Sequence, residues 1–349
     1  MSARVKVLPS GREFVAEGAA PLLEEALRAG ISLNYGCSNG NCGLCKARLI
    51  EGRVERVRPV DYVLTAAERE AGMVLLCAHA AATDLVIEAI EAGEATDIPR
   101  QQIEARVRRV DPAGERVRVL HVQTPRTRRL RFLAGQSVHL TIGGQRLADC
   151  PIASCPCDDR NLQFHILRRP GDPLSDLVFG GLKPGDPVLL DGPIGSLTYN
   201  DDSRRPAIFV AWGTGFALIK SLVEHAMALE TVPHLVLYWI AGPATGHYMV
   251  NLCRAWADAL DDFEYVAFTP PAAPGEDPLA APDRVEAALA YIAGRHADLG
   301  GFDVYVAGPE AAATASEFFF LERGVARAQL VVKHLEMGSS GNGVGVIYF

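Results

Sequence analysis

The sequence predicts a multidomain chain: a small α+β unit first, a small antiparallel β-barrel next, and a parallel α/β unit last. Three observations carry this. Residues 1–92 place short alternating strands around one short helix and a cysteine-rich loop. Residues 102–202 are short alternating runs broken by turn residues, the pattern of a barrel. Residues 203–337 alternate apolar strands with helices, the pattern of a parallel sheet. At 349 residues the chain is also longer than one core usually organises.

Composition narrows the class. Apolar residues make up 49% and charged residues 22%, ordinary for a globular protein. The net charge of −8 argues against nucleic acid as a general partner. No apolar run of membrane-spanning length is present, so no membrane insertion is expected. The N-terminal stretch Met1-Ser2-Ala3-Arg4-Val5 has no apolar signal core. Eight cysteines in so long a chain suit a reducing cytoplasm better than a disulfide framework.

In the first unit, Val5, Val7, Phe14 and Val15 flank a turn at Pro9-Ser10-Gly11, which predicts a hairpin. Pro21 to Gly30 reads as a short helix, with proline at its start and glycine past its end. The loop that follows carries Cys37, Cys42 and Cys45, and Cys77 stands alone further on. Three thiols spaced C-x4-C-x2-C with a distant fourth match the ligand set of a plant-type 2Fe–2S cluster. Four thiolates, two sulfides and two ferric ions carry net negative charge, so backbone N–H groups must point at the sulfurs. Gly36, Gly40 and Gly43 permit that close approach. The competing readings are a zinc site, which prefers two close ligand pairs, and buried structural thiols, which need no such spacing. Lys46–Ile50, Ala66–Glu70 and Val86–Glu88 add a strand, a helical turn and a closing strand.

Residues 93–101 lack apolar periodicity and read as a linker. Beyond them, residues 103–107, 117–122, 137–142 and 162–167 are the barrel strands. Residues 206–212 are a buried strand that ends in Gly213-Thr214-Gly215 and opens a helix over 218–227. Such a turn seats a pyrophosphate, because the helix start offers free N–H groups and a positive dipole end. Strands over 235–240, 265–268 and 303–309 follow, then a helix over 310–322.

The order of these units resembles the ferredoxin-reductase family of oxygenase reductases, together with the similar deoxyhexulose (glucoseen) reductases. The motifs carrying the resemblance are Gly135-Gln136, Ile152-Ala153-Ser154, Arg168-Arg169-Pro170-Gly171 with Ser175, Gly185-Asp186, Gly192-Pro193-Ile194-Gly195, Gly213-Thr214-Gly215-Phe216-Ala217 with Lys220-Ser221, Leu237-Tyr238-Trp239 and Gly308-Pro309. The resemblance implies a ferredoxin-like β-grasp over 1–92, a six-stranded antiparallel FAD-binding β-barrel over 102–202 and a Rossmann-like NAD(P)-binding domain over 203–337. It implies that NADH or NADPH reduces FAD and that the cluster passes single electrons to an oxygenase-type acceptor protein. The flavin belongs between them because it handles both two-electron and one-electron steps. Ile152, Ala153, Ser154, Gly171 and Ser175 become FAD contacts, and Gly213, Thr214, Gly215, Gly308 and Pro309 dinucleotide contacts.

Departures from the family pattern gather at those contacts. Relatives carry Arg-x-Tyr-Ser before Ile-Ala-Ser, whereas this chain has Ala148, Cys150 and Pro151. Proline lacks even a backbone donor. Arg146, two positions away, is the candidate replacement for the phosphate contact. Trp212 stands where a glycine is usual and is expected to crowd a pyrophosphate. Leu218 replaces a proline and Ala307 a cysteine. The sequence therefore supports two readings: an electron-transfer iron–sulfur protein with flavin binding weakened or lost, which the replaced side chains favour, and an active NAD(P)H-dependent FAD and 2Fe–2S reductase, which the intact glycine turn favours.

Other features carry bland readings. Cys150, Cys155 and Cys157 could ligate a second metal with His165, but the spacing matches no common site. Arg126, Arg128, Arg129 and Arg131 read as a solvated strand face. The tail over 338–349 is glycine-rich with an apolar tip; it reads as a frayed end, with cover for an emptied flavin site as the sharper alternative.

Overall fold

The computed structural model describes residues 2–243, 245–271, 279 and 281–335; the C-terminal tail lies outside them. The first unit holds β1 (Ser2–Leu8), β2 (Glu13–Glu17), α1 (Leu22–Arg28), β3 (Lys46–Glu51), β4 (Val54–Arg56), α2 (Ala66–Glu70), β5 (Met73–Leu75), β6 (His79–Ala81) and β7 (Leu85–Glu88). Strict alternation along β1 and β2 puts Val5, Val7, Phe14 and Ala16 on one face. That face receives Leu22, Leu23, Ala26 and Leu27 of α1. The sheet order is β2-β1-β7-β3-β5, with β1 and β7 parallel at its centre.

The second unit is a curled six-stranded antiparallel sheet of β8 (Gln101–Pro112), β9 (Val117–Gln123), β10 (Ser137–Ile142), β11 (Gln145–Pro151), β12 (Asn161–Leu167) and β13 (Pro187–Ile194), with α3 (Pro173–Gly180) between the last two. Its order is β11-β10-β13-β8-β9-β12, so β11 and β12 are the open edges. Val107, Leu120, Leu140, Phe164 and Leu190 fill the interior.

The third unit is the parallel sheet of β14 (Ala207–Trp212), β15 (Leu235–Ile240), β16 (Phe263–Phe268), β17 (Asp303–Pro309) and β18 (Leu330–Leu335), wrapped by α4 (Phe216–Leu229), α5 (Val250–Ala259), α6 (Pro282–Ala293) and α7 (Glu310–Glu322). β14, β15 and β17 are buried along nearly their whole length, which explains their unbroken apolar runs. The order β16-β15-β14-β17-β18 reverses direction between β14 and β17. Such a reversal opens a crevice at the C-terminal strand ends, where Gly213-Thr214-Gly215 and Gly308-Pro309 lie.

Three sequence expectations change. Residues 93–101 are not a loose linker: Ala92 and Ile98 bury against Leu133, and the Asp97 carboxylate accepts the Gly93 and Glu94 N–H groups. Two apolar anchors are too few to register as periodicity. The arginine run lies on the loop between β9 and β10 rather than on a strand, and only Arg126 and Arg128 are solvated, while Arg131 is buried. Trp212 does not crowd the glycine turn. Its indole is fully buried on the α7 side, where Nε1 donates to Ser316 Oγ at 3.0 Å.

Candidate cluster and cofactor site

The cluster loop presents its thiols in two pairs. The Cys37 N–H points at Cys42 Sγ, and the Asn41 and Cys42 N–H groups point at Cys37 Sγ, each at 3.3 Å. The Leu44 N–H reaches Cys42 Sγ at 3.5 Å. Cys45 Sγ and Cys77 Sγ stand 3.2 Å apart. Burial alone would raise all four thiols, yet at Cys37 the surrounding N–H groups outweigh it and lower the pKa. Cys45 and Cys77 share a hydrogen bond, which pulls Cys77 down to about 7 and pushes Cys45 up.

The backbone needs its glycines here. Gly40 and Gly43 have φ of +87° and +72°, and a Cβ on Gly43 would fall 2.4 Å from the Tyr62 ring. Tyr62 is itself held by Lys46, which pairs with Glu68 of α2. Donors aimed at sulfur and ligands grouped two and two fit a cluster of two metals. A zinc ion would draw four ligands to one centre.

The second site is a cavity of about 420 Å³ between the barrel edge and the crevice of the parallel sheet, within the usual size of a cofactor pocket. Residues 147–151 of β11 form one wall, and His165 to Leu167 with Arg169 form the next. Ser175, Thr214, Ala217 and Leu335 close it. Lys333 of β18 pairs with Asp149 of β11 and ties the two sheets together at this cavity. Asp149 has a φ of +50°, an uncommon conformation for a residue other than glycine.

Of the residues the sequence nominated, Ser175 and Thr214 line this cavity. Ser175 Oγ already accepts the Arg169 N–H at 2.8 Å, so it orders the loop that brings Arg169 to the wall. Ile152, Ala153 and Ser154 are buried beside the cavity rather than in its wall. The Ala153 carbonyl accepts from Lys220 and the Ser154 carbonyl from Ser221, so this motif fastens the barrel to α4. Gly171 has a φ of +83° and shapes the turn before α3. Gly213 has a φ of +57° at the start of the turn. A Cβ on Gly215 would come 2.1 Å from the Ala307 carbonyl oxygen, and one on Gly308 would come 2.4 Å from Trp212 Cβ. These two glycines set how closely β14 and β17 approach, and Pro309 stands at the N-terminal end of α7.

Arg146, the candidate phosphate contact, does not line this cavity. It interacts with His139 and Asp191 elsewhere on the barrel. The cationic side chain at the wall is Arg169, which the sequence offered only as part of a motif. The three departures do line the cavity: Ala148, Cys150 and Pro151 all face it. The second-metal reading fails. Cys155 and Cys157 form a disulfide, their Cα atoms 5.1 Å apart, and Cys150 stays separate.

His165 has a different place from the one the sequence suggested. Its Nδ1 lies 2.9 Å from the Tyr248 hydroxyl, while its buried Nε2 has no partner. Burial holds its pKa well below the usual value, with the charge of Lys220 adding to the effect, so the ring is neutral. Phe216 stacks with it, Tyr248 meets it edge-on, and Trp239 stacks on Phe216. Each comes from a different segment, so no local signal links them.

Residues 5–82 match the 2Fe-2S iron-sulfur cluster binding domain. Over 329 residues the chain is 30% identical to the CDP-6-deoxy-L-threo-D-glycero-4-hexulose-3-dehydrase reductase of Yersinia pseudotuberculosis, covering 93% of this chain and 96% of that one. It is 31% identical over 271 residues to reductase component 2 of the terephthalate 1,2-dioxygenase of a Comamonas species, covering 76% and 79%. In fold it is similar to a solved cytochrome P450 reductase of Amycolatopsis, with TM-score 0.58, 24% identity and coverage of 94% and 97%. Among the described residues no helix is long and apolar enough to cross a membrane.

Proposed function

The chain belongs to the ferredoxin-reductase family of oxygenase reductases, and from that premise we propose that it is an NAD(P)H-dependent FAD and 2Fe–2S reductase that supplies electrons to a redox partner protein. The observation that carries this is the pairing, in one chain, of a donor-lined thiol loop with a cavity at the switch point of a parallel sheet. The comparisons support this reading over that of an electron carrier without flavin.

Cys37 and Cys42 would hold one iron, and Cys45 and Cys77 the other, with backbone N–H groups stabilising the anionic sulfurs. FAD, when bound, supplies the conversion between two-electron nicotinamide and one-electron cluster chemistry. Arg169 brings positive charge to the cavity wall, and Thr214 stands in the turn that leads into α4, whose first N–H groups favour phosphate. Neutral His165 presents an imidazole whose Nε2 seeks a partner. The buried aromatic stack behind it keeps water out. Relatives named as oxygenase components support an oxygenase-type acceptor, and six of the eight cysteines remaining free, with Cys155 and Cys157 the exception, suits a reducing cytoplasm.

A second reading, the cluster-only carrier, draws on Ala148, Cys150 and Pro151 at the cavity wall. One experiment separates the two. Purified protein is saturated with FAD, freed of excess, and assayed for iron, sulfide and flavin. The reductase reading expects about two irons and one flavin per chain, with the flavin's visible band bleached by NADH or NADPH. Full iron with no retained flavin would establish the carrier reading instead.

A further inference from the structure

Among the described residues, polar contacts join the thiol-loop unit to the rest of the chain, and one set reaches the cluster loop itself. Arg131, on the loop between β9 and β10, is buried, and its Nη1 donates to Asn34 Oδ1 at 2.6 Å. The same Asn34 donates through Nδ2 to the carbonyl of Leu44, which lies between Cys42 and Cys45. The Arg131 guanidinium also sits over the Tyr35 ring, 5.4 Å from its centroid. Gln101 clamps the arginine from behind: its Oε1 accepts the Arg131 N–H and its Nε2 donates to the Arg131 carbonyl. Tyr35, buried and two residues before Cys37, lies within electrostatic reach of Asp159, whose Oδ1 is held by Arg129 at 3.0 Å while its buried Oδ2 has no hydrogen-bond partner.

Asp159 closes a ten-residue strip that begins in the cofactor cavity. Cys150 and Pro151 line that cavity. Ala153 and Ser154 bond α4, and the Cys155 N–H donates to Glu224 of α4. The turn at Pro156 and Cys157 packs on α1, beside Leu27 and Ile31. The strip thus runs from the cavity wall to α1 and the segment that leads into the cluster loop.

A further contact lies outside the cluster loop. Arg12, in the β1–β2 turn, pairs with Asp201 at 3.0 Å and Asp202 at 2.9 Å, and Asp201 also meets His225 of α4.

We propose that Arg131 and Asp159 are positioning residues: they seat the cluster loop on the strip Cys150–Asp159 and so fix the separation between cofactor cavity and cluster. This rests on the reductase reading above. Each transfer moves one electron from reduced flavin to one ferric iron, making it ferrous, with no bond made or broken. Its rate therefore depends on separation and orientation, which the seat controls. Arg131 suits the task because a planar guanidinium can stack on Tyr35 and bond Asn34 at once, which a lysine cannot. Arg12 holds the same two bodies together without touching the loop and serves as the internal control.

The test compares wild type, Arg131→Ala, Arg131→Lys, Asp159→Asn and Arg12→Ala, all carrying cluster and flavin. Two readouts are taken: hydrogen exchange of the amides over residues 31–45, and the ratio of NAD(P)H-driven reduction of cytochrome c, which draws on the cluster, to that of ferricyanide at the flavin. Loss of the seat should speed exchange over 31–45 and lower the ratio severalfold. Arg131→Lys should fall between, and Arg12→Ala should leave both readouts near wild type. Unchanged exchange and ratio in both Arg131 variants, or an equal loss in Arg12→Ala, would overturn the proposal. If wild type retains no flavin, the reductase reading falls, while exchange over 31–45 still decides whether the seat exists.

Discussion

In the cluster loop, nine consecutive residues supply three of the four thiols, and the backbone between them supplies the donors. In the cofactor cavity, the walls come from segments as distant as Leu147 and Leu335, and side chains rather than backbone set their chemistry. In the loop, spacing, positive φ and N–H direction are fixed together. The cavity's frame depends on the close strand approach that Gly215 and Gly308 permit, while its lining arrives as side chains from separate segments. A site written in backbone geometry keeps its signature; one written in side chains can drift while the fold persists.

The most severe break of this contrast is Cys77→Ser. It removes one ligand from the buried pair, and no nearby thiol replaces it among the described residues, since Cys150 and Cys253 are buried in other units. We expect loss of most iron and sulfide, while flavin uptake by the distant cavity stays at the wild-type level. Iron, sulfide and flavin assays on one preparation check both halves. Flavin lost together with iron would show that the two sites are not independent.

The next test sharpens the cavity side. Ala148→Arg returns a cation to a wall position. A charge-assisted phosphate contact is worth roughly 1.5–3 kcal/mol, so FAD should bind about ten- to a hundredfold tighter. Titration against flavin fluorescence measures it. Unchanged affinity would mean that Arg169 already serves the phosphates.

A third test uses the border between the two regions. Burial raises Asp159 to about 6, against the opposing pull of Arg129 and Tyr35, with Asp158 adding to the rise. A carboxyl whose folded pKa lies above its unfolded value gives stability that is full below about pH 4 and is lost as pH rises through about 6. The loss is at most about 3 kcal/mol. Thermal melts across that window should show the decline, and Asp159→Asn should flatten it.

These regions also differ in how much the sequence disclosed. The four thiols and their glycines were legible because cluster chemistry dictates residue type and spacing within one loop. The parallel sheet was legible because β14, β15 and β17 are buried on both faces and read as apolar runs. Trp212 was misread because its strand position is the same whether the indole faces the crevice or α7, and only packing against Ser316 decides. Arg146 and Arg169 were confused because only the fold decides which segment reaches the cavity: Arg146 lies off its wall, and Ser175 orders the loop that brings Arg169 to it. The Arg131–Asn34 contact joins residues 97 positions apart, and nothing local announces it.

The smallest expected effect probes whether the loop's geometry really is its own. Thr65 caps α2, with its side chain accepting the Glu68 N–H while Glu68 accepts the Thr65 N–H. Glu68 in turn holds Lys46, Lys46 holds Tyr62, and the Tyr62 ring lies where a side chain on Gly43 would fall. Thr65→Ala removes the cap and should cost about 1 kcal/mol, read as a small drop in melting temperature. If backbone spacing and N–H direction define the loop, iron content should not change, since Cys37, Cys42 and Cys45 keep their donors. If iron falls in step with stability, the loop depends on the side-chain chain behind it. It would then be built like the cavity, from distant segments, and the contrast between the two sites would narrow to one of degree.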